Sequence, residues 1–427
     1  MKIAVIGTGY VGLVTAVCLA EIGHHVTGID SNKKKIELLK KGKIPIYEPG
    51  LDKLLKKNKK RLVFTTSISE GTKNAVVIFI AVNTPPRADG SADMQYVEEV
   101  SRQIAKEMTS YKVIVEKSTV PVETGKWVKK VINLYNRKNV PFDVVSNPEF
   151  LREGQAVNDF LHPDRVVVGA GSKRAQDVMD ELYRPIKAPK LFTSVETAEI
   201  IKHASNSFLA TKISYINAVS RICEKVGADI EEVAEGMGMD KRIGRSFLKA
   251  GAGYGGSCFP KDASAFIWIA KKAGYDFNLL KEVEKINRGQ RDMIVEKLEN
   301  ALWNLNGKTI GVLGIAFKPD TDDIRESPSV AVIKILLEEK ARVKTYDPEA
   351  MKKAREVLKG VKFCSSPYEA ARDSEALVLL TEWEEFRKMD LSKIKKLMKV
   401  PVFIDGRNLF KNKEMRSLGF IYQGVGR

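Results

Sequence analysis

A glycine-rich turn near the start of the chain constrains the fold more than any other feature. Residues 7–12 read GTGYVG, a G-x-G-x-x-G pattern that directly follows an apolar, β-branched stretch at residues 2–6 and opens a helical pattern. Glycines at these positions permit a tight turn and let backbone amides approach a pyrophosphate at a helix N-terminus. Asp30 closes the next strand-like stretch, eighteen residues after Gly12. Because a carboxylate there accepts hydrogen bonds from ribose hydroxyls and repels a 2′-phosphate, the pattern predicts a site for NAD rather than NADP.

The rest of the chain has two segments with alternating patterns and one without them. Short β-branched runs alternate with helical patterns up to about residue 192, as in a parallel sheet covered by helices. The alternation then stops, because residues 198–226 read as one long helix, and it restarts at residue 308. The predicted strands are residues 2–6, 25–29, 75–81, 113–116, 144–145, 165–168, 309–313, 342–346, 376–380 and 402–404, and the predicted helices include residues 12–22, 31–41 and 198–226.

These patterns predict an α/β fold with two Rossmann-like, doubly wound parallel-sheet domains joined by a central helical segment with one long helix. We place the domains at residues 1–192, 193–300 and 301–427. The last domain lacks a G-x-G-x-x-G after its first strand, so we expect no second dinucleotide site. Instead Lys318 and Arg407 follow strands of this domain and offer cations for a diphosphate.

The chain is strongly basic, with 71 lysine and arginine residues against 54 acidic ones and a formal net charge of +17. Such a balance is typical of many nucleic-acid-binding proteins. Here the lysines lie in helix-like stretches among apolar positions, as in residues 33–35 and 53–61, without interleaved aromatic residues. We therefore expect a solvated lysine-rich surface and no nucleic-acid partner. An anionic small substrate would accommodate part of the charge.

The sequence also lacks the signals of a membrane-bound, secreted or metal-binding protein. No apolar run reaches the ~20 residues that a membrane helix needs, and glycines interrupt the apolar start before any cleavage site. The four cysteines are scattered without a C-x-x-C pair, and the four histidines are not spaced as ligands. We therefore expect a cytoplasmic protein without disulfides, metal ion or membrane partner.

The stretch with the most chemical information is residues 253–262, GYGGSCFPKD. Its glycines let backbone amides reach a ligand, and Pro260 suits the first turn of a helix. Cys258 is then expected just before a helix N-terminus, where partial positive charge favours a reactive thiolate. Asp262, four residues on, would share its face of the helix. A glycine-rich loop with an inert buried cysteine is the alternative that the residues alone leave open.

Other polar residues are expected at strand ends and on the long helix. Residues 146–154, SNPEFLREG, follow a predicted strand, where open α/β sheets place their ligands. Glu149 and Glu153 could supply a general base and a binding group. Thr84 and Thr119 end strands at the same edge. Lys202 and Asn206 stand four apart on the long helix and share one face, although spacing alone favours a solvated lysine there.

Together these motifs resemble the UDP-glucose/GDP-mannose dehydrogenase family. That resemblance implies an N-terminal NAD-binding Rossmann domain, a central long helix that forms a homodimer, and a C-terminal domain that holds the nucleotide diphosphate. It also implies an NAD-dependent four-electron oxidation of a sugar nucleotide's primary alcohol to a carboxylate. The matching blocks are residues 7–12, 147–154, 160–169, 202–206, 253–262, 317–327 and 405–407.

The resemblance makes Cys258 the nucleophile of the reaction. After a first hydride transfer produces an aldehyde, the thiolate would form a thiohemiacetal. A second hydride transfer would leave a thioester, which water hydrolyses. A covalent intermediate of this kind lets one site perform both oxidations, which accounts for a cysteine in a dehydrogenase.

The resemblance also gives roles to other catalytic residues. Lys202 and Asn206 would stabilise the oxyanions of the alkoxide and tetrahedral states. Asp262 would hold a water molecule or accept a proton. Glu153 would activate the hydrolytic water, directly or in a network with Thr119.

Binding residues are implied in the same way. Arg242 resembles an arginine that reaches across the dimer interface. The cofactor-binding residues implied are Gly7, Gly9, Tyr10, Val11, Gly12, Asp30, Lys35, Thr84, Thr119, Glu153, Lys261 and Arg325. The substrate-binding residues implied are Glu149, Phe150, Leu151, Arg152, Glu153, Lys202, Asn206, Arg242, Phe247, Lys249, Tyr254, Gly255, Cys258, Phe317, Lys318 and Arg407.

The motifs also bear on other substrates and on two other classes of protein. GDP-mannose and UDP-N-acetylmannosamine enzymes share the thiol, lysine and aspartate, but residues 259–262 and 316–319 are more similar to the UDP-glucose branch. A sugar-nucleotide epimerase that contains NAD would need a Tyr-x-x-x-Lys pair opening a helix of the first domain, and none occurs at the right place. A binding module without catalysis would explain the glycine loops, but not Lys202, Cys258 and Asp262 together. UDP-glucose is therefore the expected substrate.

Overall fold

The computed structural model describes residues 1–85, 87 and 89–427, and the chain forms two compact units. The first unit comprises Met1–Ser205 and Ser264–Tyr275, and the second comprises Asn206–Ala263 and Asp276–Arg427. The boundary falls inside the long helix, so the helix contributes residues to both units. The division into segments 1–192, 193–300 and 301–427 stays a prediction.

The first unit is built on one eight-stranded sheet. Its strands run in the order β3-β2-β1-β4-β5-β6-β7-β8, so the first six follow the doubly wound order 3-2-1-4-5-6. The strands are β1 (Lys2–Ile6), β2 (His25–Ile29), β3 (Leu62–Thr65), β4 (Val77–Ile80), β5 (Lys112–Glu116), β6 (Phe142–Ser146), β7 (Val166–Ala170) and β8 (Lys190–Thr193).

One strand pair departs from the parallel sheet that the sequence predicts. Strands β6 and β7 pair antiparallel, whereas the other neighbours in this sheet are parallel. A parallel connection needs a crossover that carries the chain back along the sheet. The connection from β6 to β7 contains only the six-residue helix α7 (Ala156–Leu161), about 9 Å long at 1.5 Å per residue. The chain therefore stays at the carboxyl end of β6 and enters β7 from there.

Helices cover the first sheet and make up the middle of the chain. The central β4 is buried at every position, as expected for a strand covered on both faces. The long helix predicted at residues 198–226 is confirmed and extends from Val195 to Val226. The helices up to residue 302 are α1 (Tyr10–Glu21), α2 (Lys33–Lys40), α3 (Leu51–Lys57), α4 (Ile68–Asn74), α5 (Gln95–Glu107), α6 (Thr124–Tyr135), α7, α8 (Lys173–Leu182), α9 (Val195–Val226), α10 (Ile230–Gly238), α11 (Phe259–Lys272) and α12 (Asn278–Leu302).

The second unit contains a six-stranded parallel sheet in the order β11-β10-β9-β12-β13-β14. This is again the doubly wound order, so the predicted fold class is confirmed. The strands are β9 (Thr309–Leu313), β10 (Arg342–Tyr346), β11 (Lys362–Phe363), β12 (Ala376–Leu379), β13 (Val402–Asp405) and β14 (Ile421–Gln423). The helices are α13 (Pro328–Glu338), α14 (Met351–Val357), α15 (Pro367–Ala371), α16 (Glu384–Arg387), α17 (Leu391–Leu397) and α18 (Asn412–Ser417).

The part of the chain that the structure describes contains no helix long and apolar enough to span a membrane. In the same residues, no group of three or more histidine, cysteine or acidic side chains is arranged to hold a metal ion.

Candidate active site

The turn after β1 has the geometry that a bound pyrophosphate requires. Gly7 has φ +97°, and a Cβ there would lie 2.4 Å from the backbone oxygen of Ala81. A Cβ at Gly12 would lie 1.8 Å from the oxygen of Gly7, so neither position accepts a side chain. At Gly9, which precedes α1, the nearest atom to a Cβ is Asn83 Oδ1 at 3.9 Å. Gly7 and Gly12 are therefore packed against the backbone, whereas the space beside Gly9, at the helix N-terminus, is free to accept an anion.

Asp30, at the end of β2, lies against this turn. It accepts hydrogen bonds from the backbone and hydroxyl of Thr8 (3.0 and 2.9 Å), from the amide of Asn32 (3.0 Å) and from Lys35 Nζ (2.8 Å). Burial alone would raise the pKa of Asp30, but Lys35 and the Asn32 and Thr8 donors hold it below the ordinary value. The carboxylate is therefore ionised, and these residues fit NAD.

In the first unit, Glu149 and Lys202 form a buried ion pair. Lys202 Nζ donates to the Glu149 backbone oxygen (2.7 Å) and lies 3.0 Å from its Oε1, and each side chain is 5% exposed. Burial would raise the pKa of Glu149, but the charge of Lys202 and the Leu151 amide hold it low. The solvated lysine that spacing alone favours is therefore wrong, because the side chain of Lys202 is buried against Glu149.

A second lysine lies in the same buried region, which the sequence reasoning missed. Lys117 Nζ donates to Asn147 Oδ1 (3.0 Å), and the Tyr183 hydroxyl donates to the same oxygen (2.6 Å). Burial lowers the pKa of Lys117 to about 8, although Glu149 opposes this. With Lys117 protonated, two lysines face one carboxylate. The region then carries a net positive charge, suited to an oxyanion.

The other predicted residues of segment 147–154 have different surroundings. The ring of Phe150 lies 3.9 Å below the Arg165 guanidinium and 5.5 Å from Lys202 Nζ. Leu151 donates its amide to Glu149 Oε2 (2.6 Å). Arg152 is largely exposed and pairs with Asp159, so its guanidinium is occupied by the protein itself.

Helix α9 also holds the segment after β5 that carries Thr119. Glu199 accepts two backbone amides of residues 120–125, at 2.7 and 3.0 Å. His203 Nε2 donates to a carbonyl in the same segment at 2.8 Å. Thr84 Oγ1 donates to the backbone oxygen of Thr119 (2.9 Å), which brings these two predicted residues together. Glu199 and His203 carry no local signal, because their partners lie more than seventy residues away.

In the second unit, Cys258 directly precedes α11, as the sequence predicts. The Asp262 amide donates to the Cys258 carbonyl (2.8 Å), which closes the first helical turn. The thiol is half-buried, with Sγ 3.6 Å from Ser257 Oγ. Cys258 therefore adjoins the helix N-terminus, a position at which the partial positive charge favours a thiolate.

Asp262 and Asn206 form a buried pair in the same unit. Asn206 Nδ2 donates to Asp262 Oδ2 at 2.6 Å. Asp262 is buried, and its Oδ1 has no hydrogen-bond partner among the residues that the structure describes, with Lys261 Nζ at 3.9 Å. A buried carboxylate oxygen without a donor can accept one from a water molecule or a substrate hydroxyl.

Side-chain amides fix the glycine-rich loop before Cys258. The Tyr254 amide and carbonyl bond to Asn287 (2.8 and 3.1 Å). Gly256 has φ +84°, and a Cβ there would lie 2.7 Å from the ring of Phe317. A Cβ at Gly255 would lie 2.3 Å from the Glu326 oxygen. Phe247 and Tyr254 both contact the ring of Phe259, at 6.2 and 5.8 Å between centroids.

The predicted cations of the second unit divide into two groups. Arg407 donates to the backbone oxygens of Leu380 (2.8 Å), Gly253 (3.0 Å) and Phe317 (3.3 Å), so it ties the glycine-rich loop to the ends of β9 and β12. Lys318 lies 5.6 Å from the Phe317 ring centroid. Three others are on the surface: Lys249, Arg242, which pairs with Asp240, and Arg325, which pairs with Asp323.

The second sheet uses its corresponding acid differently. Asp347 follows β10, as Asp30 ends β2, but it is buried. Its Oδ2 accepts the amides of Ile315 (2.7 Å) and Ala316 (3.0 Å) and the Trp383 indole (3.2 Å). Asp347 is therefore enclosed by its protein donors, whereas Asp30 is partly exposed.

An ionised acid beside an open glycine turn, on a doubly wound sheet, is typical of an NAD-binding Rossmann domain. Models of the UDP-glucose/GDP-mannose dehydrogenase family match at residues 1–187 (NAD binding domain), 196–289 (central domain) and 311–412 (UDP binding domain). The chain therefore belongs to this family, and the prediction of NAD as cofactor is confirmed.

Relatives and solved structures agree with this assignment. UDP-glucose 6-dehydrogenase TuaD of Bacillus subtilis (strain 168) is 50% identical over 100% of this chain and 93% of its own length. UDP-glucose 6-dehydrogenase of Rhizobium meliloti (strain 1021) is 46% identical over 100% of both chains. A UDP-glucose dehydrogenase structure from Pyrobaculum islandicum is 42% identical, with a TM-score of 0.94 over 99% of this chain and 97% of that one. A UDP-D-ManNAc dehydrogenase structure from Pyrococcus horikoshii is 29% identical, with a TM-score of 0.90 over 100% and 99%.

Proposed function

We propose that this enzyme oxidises the primary alcohol of UDP-glucose to the carboxylate of UDP-glucuronate, reducing two NAD⁺. The observation that carries the proposal is Cys258 at the N-terminus of α11, with the buried Asp262 one turn further on. A simple alcohol dehydrogenase has no need of a positioned thiol, whereas a double oxidation does. The relatives named UDP-glucose 6-dehydrogenase, at 41 to 50% identity, support the choice of sugar nucleotide.

The first oxidation removes a proton from O6 and a hydride from C6, and leaves an aldehyde. When bound, NAD supplies the hydride acceptor for both oxidations. We assign to Lys202 and Asn206 the stabilisation of the negative charge that develops on O6. The net positive charge of the Lys202, Lys117 and Glu149 group supports this role for Lys202.

The Cys258 thiolate then adds to C6 and forms a C–S bond while the aldehyde oxygen takes up a proton. The resulting thiohemiacetal loses that proton and a second hydride to become a thioester. Water attacks C6, the C–S bond breaks, and the thiolate is restored as the acid leaves. Asp262 Oδ1, without a hydrogen-bond donor among the described residues, is suited to hold a proton or a water in these steps. Glu153, with Thr119, is assigned to the hydrolytic water. Overall, one alcohol, two NAD⁺ and one water give one carboxylate, two NADH and three protons.

The stoichiometry of NADH is the first test of this proposal. With limiting UDP-glucose and excess NAD⁺, we expect two NADH for each sugar nucleotide consumed, measured by NADH absorbance, with UDP-glucuronate identified by mass spectrometry. GDP-mannose and UDP-N-acetylmannosamine are assayed in parallel, and we expect little turnover of either. One NADH per UDP-glucose would contradict the double oxidation. Faster turnover of either of the other sugar nucleotides would contradict UDP-glucose as the substrate but would leave the proposed mechanism unchanged.

A homodimer and a cytoplasmic location belong to the same proposal. Three large apolar side chains recur at seven-residue spacing on α9 and are exposed: Phe208 (65%), Tyr215 (55%) and Ile222 (60%). Residues at this spacing share one face of a helix, and an apolar stripe of this kind is typical of an association surface. Arg242, exposed on the same unit, is assigned to the partner's substrate.

The dimer is tested by placing charge on this stripe. The double substitution Phe208→Asp and Tyr215→Asp is expected to convert the dimer to a monomer in analytical ultracentrifugation, because buried carboxylates without partners would oppose association. Leu134→Asp is the matched control, since Leu134 is 69% exposed on α6 of the first unit. A wild-type monomer, or a dimer that survives the double substitution, would contradict the proposed interface.

A further inference from the structure

Glu48 lies in the connection between α2 and α3 and is only 3% exposed, although no motif points to it. Its carboxylate accepts hydrogen bonds from segments that are distant in the sequence. Oε2 accepts hydrogen bonds from the hydroxyl of Tyr10, which is a short contact, and from the amide of Gly154 (2.7 Å). Oε1 accepts the amides of Ala156 (2.7 Å) and Val157 (3.3 Å).

These donors belong to two parts of the proposed machinery. Tyr10 lies within the dinucleotide turn and is the first residue of α1. Gly154 closes segment 147–154, which contains Glu149 and Glu153, and its amide also lies 3.0 Å from the Tyr10 hydroxyl. Gly154 has φ +82°, a conformation that suits glycine. Three mutual contacts between Glu48, Tyr10 and Gly154, called here the Glu48 triangle, therefore connect the dinucleotide turn to segment 147–154.

The chemistry of the triangle requires a carboxylate. The four groups that contact Glu48 among the described residues are all donors, and two of them are the first amides of α7, which have no carbonyl partner within the helix. Burial, with Glu48 beside it, raises the pKa of Tyr10, so the phenol stays protonated and donates. A glutamine at position 48 would place an NH₂ group where one carboxylate oxygen now accepts hydrogen bonds. Because an NH₂ group cannot accept, the contacts to that oxygen would be lost.

We propose that Glu48 is a positioning residue that couples occupation of the dinucleotide turn to the placement of segment 147–154. NAD held at the turn fixes Tyr10, and Tyr10 fixes Gly154 through Glu48. The segment then presents its acids in one geometry. This inference rests on the proposed function for the role of the acids, but the coupling itself is measurable by NAD binding alone.

Hydrogen exchange measures the coupling directly. Amide exchange of a peptide covering residues 147–157 is followed by mass spectrometry, without NAD and with NAD at saturation, in the absence of sugar nucleotide. In the wild type we expect NAD to slow exchange in this peptide. In Glu48→Gln and in Tyr10→Phe we expect most of that protection to be lost, even when the cofactor saturates the protein.

Glu21→Gln is the matched control, because Glu21 lies on the same helix as Tyr10 and accepts two hydrogen bonds, from Lys57 and Asn58. We expect it to retain the protection by NAD. Equal protection in Glu48→Gln and wild type would overturn the proposal, as would loss of protection in all three variants. Tyr10→Phe keeps the test available if Glu48→Gln does not fold, because it removes only the hydroxyl.

The affinity for NAD provides a second readout. Glu48→Gln and Tyr10→Phe are each expected to weaken NAD binding about tenfold, as loss of a hydrogen bond to a charged group does. The double variant should be no weaker than the worse single one, because both remove the same link. Losses of NAD affinity that add in the double variant would contradict a shared link between Tyr10 and Glu48. Failure of the UDP-glucose proposal would leave the binding results unchanged, so the two hypotheses are tested separately.

Discussion

Replacing Cys258 with serine is expected to abolish UDP-glucuronate formation while leaving NAD binding unchanged. A serine hydroxyl is far less ionised than a thiol, and the helix N-terminus cannot compensate for that difference. Without the thiohemiacetal no thioester forms, so at most one NADH should appear per sugar nucleotide. We expect acid formation to fall on the order of 10⁴-fold or more, as for other enzymes that lose a covalent nucleophile.

Cys364→Ser is the control for this experiment. Cys364 is buried in the second unit, and the proposed mechanism gives it no role. We expect this variant to retain full turnover. The acid is quantified by mass spectrometry and NAD affinity by calorimetry. Undiminished acid formation by Cys258→Ser would refute the thioester mechanism.

Lys202→Met is expected to have the second largest effect, on both turnover and stability. Loss of a charged group that stabilises an oxyanion lowers kcat by about 10²–10³-fold. The same change leaves the buried Glu149 without its cation, which costs about 3–5 kcal/mol in the free energy of unfolding. Adding Glu149→Gln should restore much of the stability but not the turnover, because it removes the buried charge without supplying a cation. Recovery of both would assign Lys202 a purely structural role.

The pH dependence of stability separates the two contributions of Lys202. Glu149 has a lowered pKa in the folded protein, so its ionisation stabilises the fold above the ordinary pKa of about 4.3, and this contribution is lost as the pH falls through the folded value. In Lys202→Met the ionised form of Glu149 loses its cation while it stays buried, so its ionisation destabilises the folded protein. The difference in unfolding free energy between the two proteins should therefore be largest near neutral pH and shrink in acid, as measured by urea unfolding. A difference independent of pH would contradict ionisation of the pair.

The features that the sequence determined are those whose cause is local. The strands at residues 2–6, 25–29, 309–313 and 342–346 have the predicted bounds, because each is a short stretch with β-branched residues that alternates with a helical pattern. The glycines of the first turn and the position of Cys258 before α11 follow from backbone rules that act within ten residues. Short edge strands such as β3 and β8 escaped prediction, because they are partly exposed and carry a weak pattern.

What only the tertiary structure decided is which polar groups are buried together. Lys202 and Glu149 are fifty-three residues apart, and helical spacing favoured solvent for the lysine. Lys117 and Glu48 had no distinguishing neighbours in the sequence, yet each is buried by segments that arrive from far along the chain. The direction of β7 was also decided by the connection that precedes it. Burial and hydrogen bonding between distant segments leave no periodic trace, because the partner that satisfies a charge is supplied by packing and not by its neighbours in sequence.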